Sequence, residues 1–151
     1  MSLHLRVVAA QATYDAWKGK AFEWGVYDCV RLVAHDLRGL GHNARLSRFG
    51  RYRSERQAVR ALLRNDFRDT VDLMDDLGLP RTPFAFCLPG DIVGFRHPDQ
   101  GLITGLCVFL GNNRVLGFFG DDPEHRCWAG APNLLFPGTE HFAWRVDPCL
   151  S

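Results

Sequence analysis

The spacing of apolar residues changes once along the chain, at Pro83. Ahead of that point apolar residues recur at three- and four-residue intervals, and after it come short apolar runs cut by Gly, Pro, Asn and Asp. Leu3, Val7, Ala10, Tyr14 and Trp17 mark a first helix, closed by Gly19. Asp28 is suited to N-cap a second, which carries Val30, Val33, Ala34 and Leu37 on one face and stops at Gly39 and Gly41. Ser54 stands before a third, with Ala58, Ala61 and Leu62 inward and arginines outward. "FRDTVDLMDDLGL" reads as a fourth helix, ended by Gly78 and Pro80. Then "GDIVGFR", "GLITGLCVFLG", "NRVLGFFG" and "HFAWRV" read as strands, with Gly111, Asn112 and Asn113 forming a tight hairpin. Helices followed by strands predict an α+β fold with an antiparallel sheet, rather than alternating βαβ units. With 151 residues, a single domain over 1–151 is expected.

Charge narrows the function classes. Eighteen Lys and Arg face seventeen Asp and Glu, so no net electrostatic footprint for nucleic acid is left over. The stretch from Arg45 to Arg64 is locally basic, with Phe49 and Tyr52 interleaved, and the acids of "RDTVDLMDD" are expected to offset it. No apolar run approaches the roughly 18 residues of a membrane span, and the first twenty residues do not read as a signal peptide, so a soluble protein is expected. Cys29, Cys87, Cys107, Cys127 and Cys149 never form a C-x-x-C pair, so they read as reduced thiols, with no metal or cofactor implied.

The segment "FEWGVYDCVRL", from Phe22 to Leu32, puts Cys29 in the first turn of the second helix. Free amides and the helix dipole in that turn favour a thiolate and lower a thiol pKa, which is where a cysteine nucleophile belongs. Such a nucleophile also needs a histidine base from a facing strand and a third polar group to orient the imidazole.

"WGVYDC" at a helix start, followed by "LPGDIVGFR" and "GLCVFLGNNRVLGF", resembles the NlpC family of papain-like cysteine peptidases, which hydrolyse peptide or amide bonds in peptidoglycan. The likeness runs from about Phe22 to Phe118 and, with the closing "FAWRV", is most similar to a phage-encoded branch found among tail proteins. It implies a papain-like fold with N-terminal helices packed on a C-terminal antiparallel sheet. It also implies a catalytic histidine at the start of the strand after the G-D element, and a third polar residue on the next strand. Those positions fall on Gly105 and near Gly117. A shifted register offers Thr104 or Cys107, neither of which is a base at neutral pH.

His97, in "RHPDQG", is the one histidine retained as a candidate base; His35 is six residues beyond Cys29 and points away from it. His4, His42, His125 and His141 read as surface residues. Trp24 and Gly25 fit either a substrate groove or a core anchor ahead of the helix, and Asp91 reads as a turn residue that starts a strand. The aromatics Phe118, Phe119, Trp128, Phe136, Phe142 and Trp144 are divided between core and a partner interface. The closing "RVDPCLS" is expected to serve assembly, so that its deletion spares the fold.

Two functions follow. The favoured one is a phage tail component, at the tail tip or hub, on an NlpC-like scaffold whose active site is incomplete. It would be made in the host bacterial cytoplasm, reside in the virion and contact other tail or baseplate proteins. The alternative is an active cysteine hydrolase that opens peptidoglycan during phage entry, with Cys29 as nucleophile and His97 as base.

Overall fold

Among the described residues three of four α-helices begin where a short polar side chain takes up a free amide of the first turn. The computed structural model describes residues 3–96, 105–118, 125–132 and 140–149. Helix α1 spans Leu3–Trp17. Helix α2, Cys29–Gly39, starts at Asp28, whose Oδ1 accepts the Arg31 N–H at 2.9 Å. In α3, Glu55–Arg64, Ser54 Oγ accepts the Gln57 N–H at 3.2 Å. In α4, Thr70–Asp76, Asp69 Oδ1 accepts the Asp72 N–H at 2.9 Å. That cap delays α4 relative to the expected segment, because Asp66 adopts a left-handed backbone and Phe67 turns into the core.

Five strands follow: β1 Ile92–Arg96, β2 Gly105–Gly111, β3 Arg114–Phe118, β4 Cys127–Gly130 and β5 Glu140–Trp144. They form one antiparallel sheet in the order β4-β3-β2-β1-β5. Asn112 and Asn113 both have positive φ between β2 and β3, as a two-residue hairpin of the right twist requires. Strand β4 escaped the sequence reading, since four residues are too few to show an alternation.

Alternation along the strands divides the core. Ile92, Leu106, Val108, Leu116 and Trp144 pack with Leu32, Val33 and Leu37 of α2, so the cysteine-bearing helix lies on this face of the sheet. Val93, Phe95, Cys107, Phe109, Val115 and Ala143 make a second cluster on the other face. A third, built from Phe49, Tyr52, Ala58, Ala61, Leu62, Phe67 and Leu73, joins α3 and α4 to the loop before them.

Helix α1 buries only part of the stripe its spacing suggested, Ala10, Trp17 and half-buried Tyr14. Arg6, Ala9, Ala10, Thr13 and Trp17 are buried, while Leu3 and Val7 are 56% and 48% exposed. The cause is Arg6, drawn inside to donate to Asp91 Oδ1 at 2.9 Å and Asp147 Oδ1 at 2.8 Å. Asp91 is fully buried and takes three further hydrogen bonds, from the amides of Leu88 and Val146 and from Arg145 Nε, all at 2.9 Å. It is thus a turn residue ahead of β1 and also the knot between α1, that turn and the chain end.

The chain end is therefore part of the fold, contrary to expectation. Val146 is fully buried, Cys149 N–H donates to the Leu40 carbonyl at 2.7 Å, and Asp147 pairs with Arg6. Removing these residues removes core and a charge partner together. Among the described residues no helix is long and apolar enough to cross a membrane.

Beside this knot Asp36 of α2 is fully buried, and neither carboxyl oxygen has a hydrogen-bond partner among the described residues. Burial, and then the negative Asp91, push its pKa well above the ordinary value, against a smaller opposing pull from Arg6. The folded state then keeps a proton that the unfolded chain releases above its ordinary pKa, so this group loses stability for the protein as pH rises. Asp36→Asn, a neutral isostere, should raise the melting temperature at pH 7, with the gain shrinking as pH falls to about 4. Thermal melts of both proteins across that range check it.

Candidate functional site

The site begins with a tight loop. Glu23 and Tyr27 exchange backbone hydrogen bonds at 2.9 Å in both directions, and Gly25 turns the chain with φ +78°. A Cβ at Gly25 would lie 2.1 Å from the Tyr52 carbonyl oxygen, so only glycine allows the two segments to meet. Asp28 closes the arrangement. Its Oδ2 accepts the Gly25 N–H at 2.9 Å and the Tyr52 hydroxyl at 2.7 Å, while Oδ1 caps α2. The W-G-x-x-D part of "WGVYDC" is accounted for as a clamp that joins loop, helix start and the Tyr52 segment.

Cys29 is the first residue of α2 and is partly buried. The backbone amides of Leu106 on β2, of Cys29 itself and of Val30 are directed at its sulfur and favour a thiolate. Burial outweighs them, and the adjacent Asp28 carboxylate adds to it; together they push the thiol up to about 12. The helix-start effect expected from sequence is present and is overridden.

The positions that the family likeness assigned to a base and its orienting group are glycines on β2 and β3. Gly105 and Cys107 alternate with Leu106, which packs on the α2 side; they belong to the opposite face of β2. Gly117 is closed to side chains, because a Cβ there would lie 2.5 Å from Cys107 Sγ. Cys107, fully buried with its pKa raised by burial and by the Cys29 and Cys127 thiols, occupies that space.

The side chains of His35, His42 and His141 are engaged elsewhere. His35 Nδ1 lies 2.9 Å from Thr13 Oγ1 and its ring meets Trp17, so it faces α1; burial and Arg38 lower its pKa. His141 sits against Phe84 and Phe95, and His42 Nε2 against the Asp147 carbonyl. The backbone carbonyl of His125 accepts the Phe22 N–H. His97 and Thr104 lie outside the described residues. Among the described residues no group of three or more His, Cys, Asp or Glu is placed to hold a metal ion.

Trp24 is half-buried, with Phe22 against it edge-to-face at 4.8 Å. On one side it borders a small apolar pocket of about 30 Å³ that Cys29, Val30, Tyr52 and Leu73 also line. On the other it borders a larger polar cleft shared with Tyr52. Tyr52 is the site residue that the sequence does not single out, and Cys107, which a shifted register offers in place of a base, is instead a buried thiol that fills the space beside Gly117. Tyr52 had been noted only as an aromatic within a basic stretch, and nothing in its spacing links it to Asp28.

Fold and site together define an α+β domain whose cysteine-bearing helix packs on an antiparallel sheet and has its start clamped by Asp28 to the Gly25 loop and Tyr52. The chain belongs to the family described as Domain of unknown function (DUF6950), whose model matches residues 5–127 and so includes both the "WGVYDC" and the "PGD" elements. No curated protein matches the sequence.

Gly117→Ala should cost about 1–3 kcal/mol by overpacking against Cys107, and Cys107→Ala in the same chain should recover most of that loss. Denaturant unfolding of the two single variants and the double variant gives the coupling directly.

Proposed function

We propose that this chain is a structural or assembly component of a phage tail, at the tail tip or hub, on an NlpC-like scaffold that has lost its hydrolytic machinery. The observation that carries the loss of chemistry is the state of Cys29. Amide hydrolysis needs a thiolate and then a proton for the leaving amine, and this thiol is pushed up to about 12 with glycines where a base and its orienter would stand. Loss of general acid–base catalysis alone lowers rates by about 10² to 10⁴. The tail assignment rests on the family likeness of the W-G-x-x-D-C and G-D elements. The clamp around Asp28 supports the scaffold reading, because those motif residues have structural work that does not depend on catalysis.

The competing reading is an active cysteine hydrolase acting on peptidoglycan. It draws on the three amides at the Cys29 sulfur, which are the kind of donors an oxyanion hole uses. It requires a base, for which His97 is the candidate.

Two measurements separate the readings. On the assembly reading the purified chain releases no peptide from peptidoglycan above the background of Cys29→Ala, and the tagged Cys29→Ala chain co-purifies with tail particles as the unmodified chain does. Release that Cys29→Ala and His97→Ala both abolish would establish the hydrolase instead. A chain absent from purified particles would end the tail assignment.

A further inference from the structure

Most arginines between Arg45 and Arg96 whose side-chain partners are described meet an acid of the same chain. Arg45 and Arg48 reach Asp76, Arg68 reaches Asp72, Arg81 reaches Asp75 and Arg96 reaches Asp69. These are the acids of "RDTVDLMDD", which offset part of the basic stretch as its sequence suggested. Arg31, Arg51 and Arg53, like Arg56, Arg60 and Arg64, form no ion pair among the described residues, but these three line one cleft of about 440 Å³ with Glu23, Trp24 and Tyr52. Arg31 lies over the Tyr52 ring at 5.7 Å, and its Nε is buried without an acceptor.

We propose that this cleft binds a carboxylate-bearing peptide segment of a partner. Guanidinium groups hold carboxylates through paired N–H donors, and three arginines against one glutamate leave the cleft positive. Arg51 and Arg53 flank the buried Tyr52 in non-helical chain, so both reach the same cleft, and Gly25 permits the close approach that forms its wall.

Trp24 and Tyr52 supply apolar surface for the stems of acidic side chains. The volume falls in the range of roughly 300–1,000 Å³ typical of ligand pockets. Nucleic acid is disfavoured by the near-neutral charge of the whole chain and by Glu23 within the cleft. The inference stands apart from the tail reading, because binding is measured on the purified chain whatever its source.

The test is fluorescence anisotropy of a fluorescein-labelled, acetylated tetraglutamate peptide titrated with the full chain. The expected result is saturable binding that weakens at least about tenfold in R51Q/R53Q, and again when salt rises from about 50 to about 500 mM. A tetraglutamine peptide should not bind, and an oligothymidylate of equal charge should bind more weakly. Both substituted arginines are exposed, so the variant should melt like the parent chain. The proposal is overturned if tetraglutamate does not bind, if R51Q/R53Q binds it equally well, or if the oligothymidylate binds more tightly.

Discussion

The buried carboxylate of Asp91 is the interaction on which the architecture depends. Its two oxygens accept four hydrogen bonds, from Arg6 on the first helix, the Leu88 amide in the preceding turn, and Arg145 and the Val146 amide at the chain end. These partners lie up to 85 residues from Asp91 in sequence, on both sides of it, so one side chain ties the beginning, middle and end of the chain together. Breaking a buried pair by removing one partner typically costs about 3–5 kcal/mol, because the other charge stays buried and unpaired. The same group explains why α1 turns a charged residue inward and leaves Leu3 and Val7 outside, and its charge adds to the burial that raises the pKa of Asp36 close by.

Asp28 plays the corresponding part at the candidate site. It organises the loop, the α2 start and the Tyr52 hydroxyl with three hydrogen bonds, and its negative charge also opposes ionisation of the neighbouring thiol. Structural order and nucleophile activation therefore pull in opposite directions at Cys29. The three amides at the sulfur favour the thiolate, yet burial and Asp28 together outweigh them. A cationic imidazole would alter that balance. The glycine at 105 cannot supply one, and the space at 117 is filled by Cys107.

Local chemistry was legible in the sequence and long-range chemistry was not. The caps at Asp28 and Ser54 and the Asn112–Asn113 hairpin are set by hydrogen bonds and backbone angles within a few residues, and each stands where its spacing placed it. The α+β division at Pro83 is of the same kind. The face of α1, the burial of the closing segment and the pairing of Asp28 with Tyr52 depend on residues 24 to 141 positions apart, and no periodicity encodes them. For Cys29 the helix-start effect was readable, but the desolvation that reverses it exists only once β2 and α2 have packed.

The central claim is that Cys29 is held as a neutral thiol by burial and by Asp28. The most direct measurement is the pH dependence of its iodoacetamide alkylation, followed by mass spectrometry of the peptide that carries it, with Cys29→Ser as the blank. The account predicts slow labelling through about pH 9, far behind the exposed Cys149, with no midpoint below about pH 11. A midpoint below about pH 8.5 would mean an activated thiolate and would contradict it.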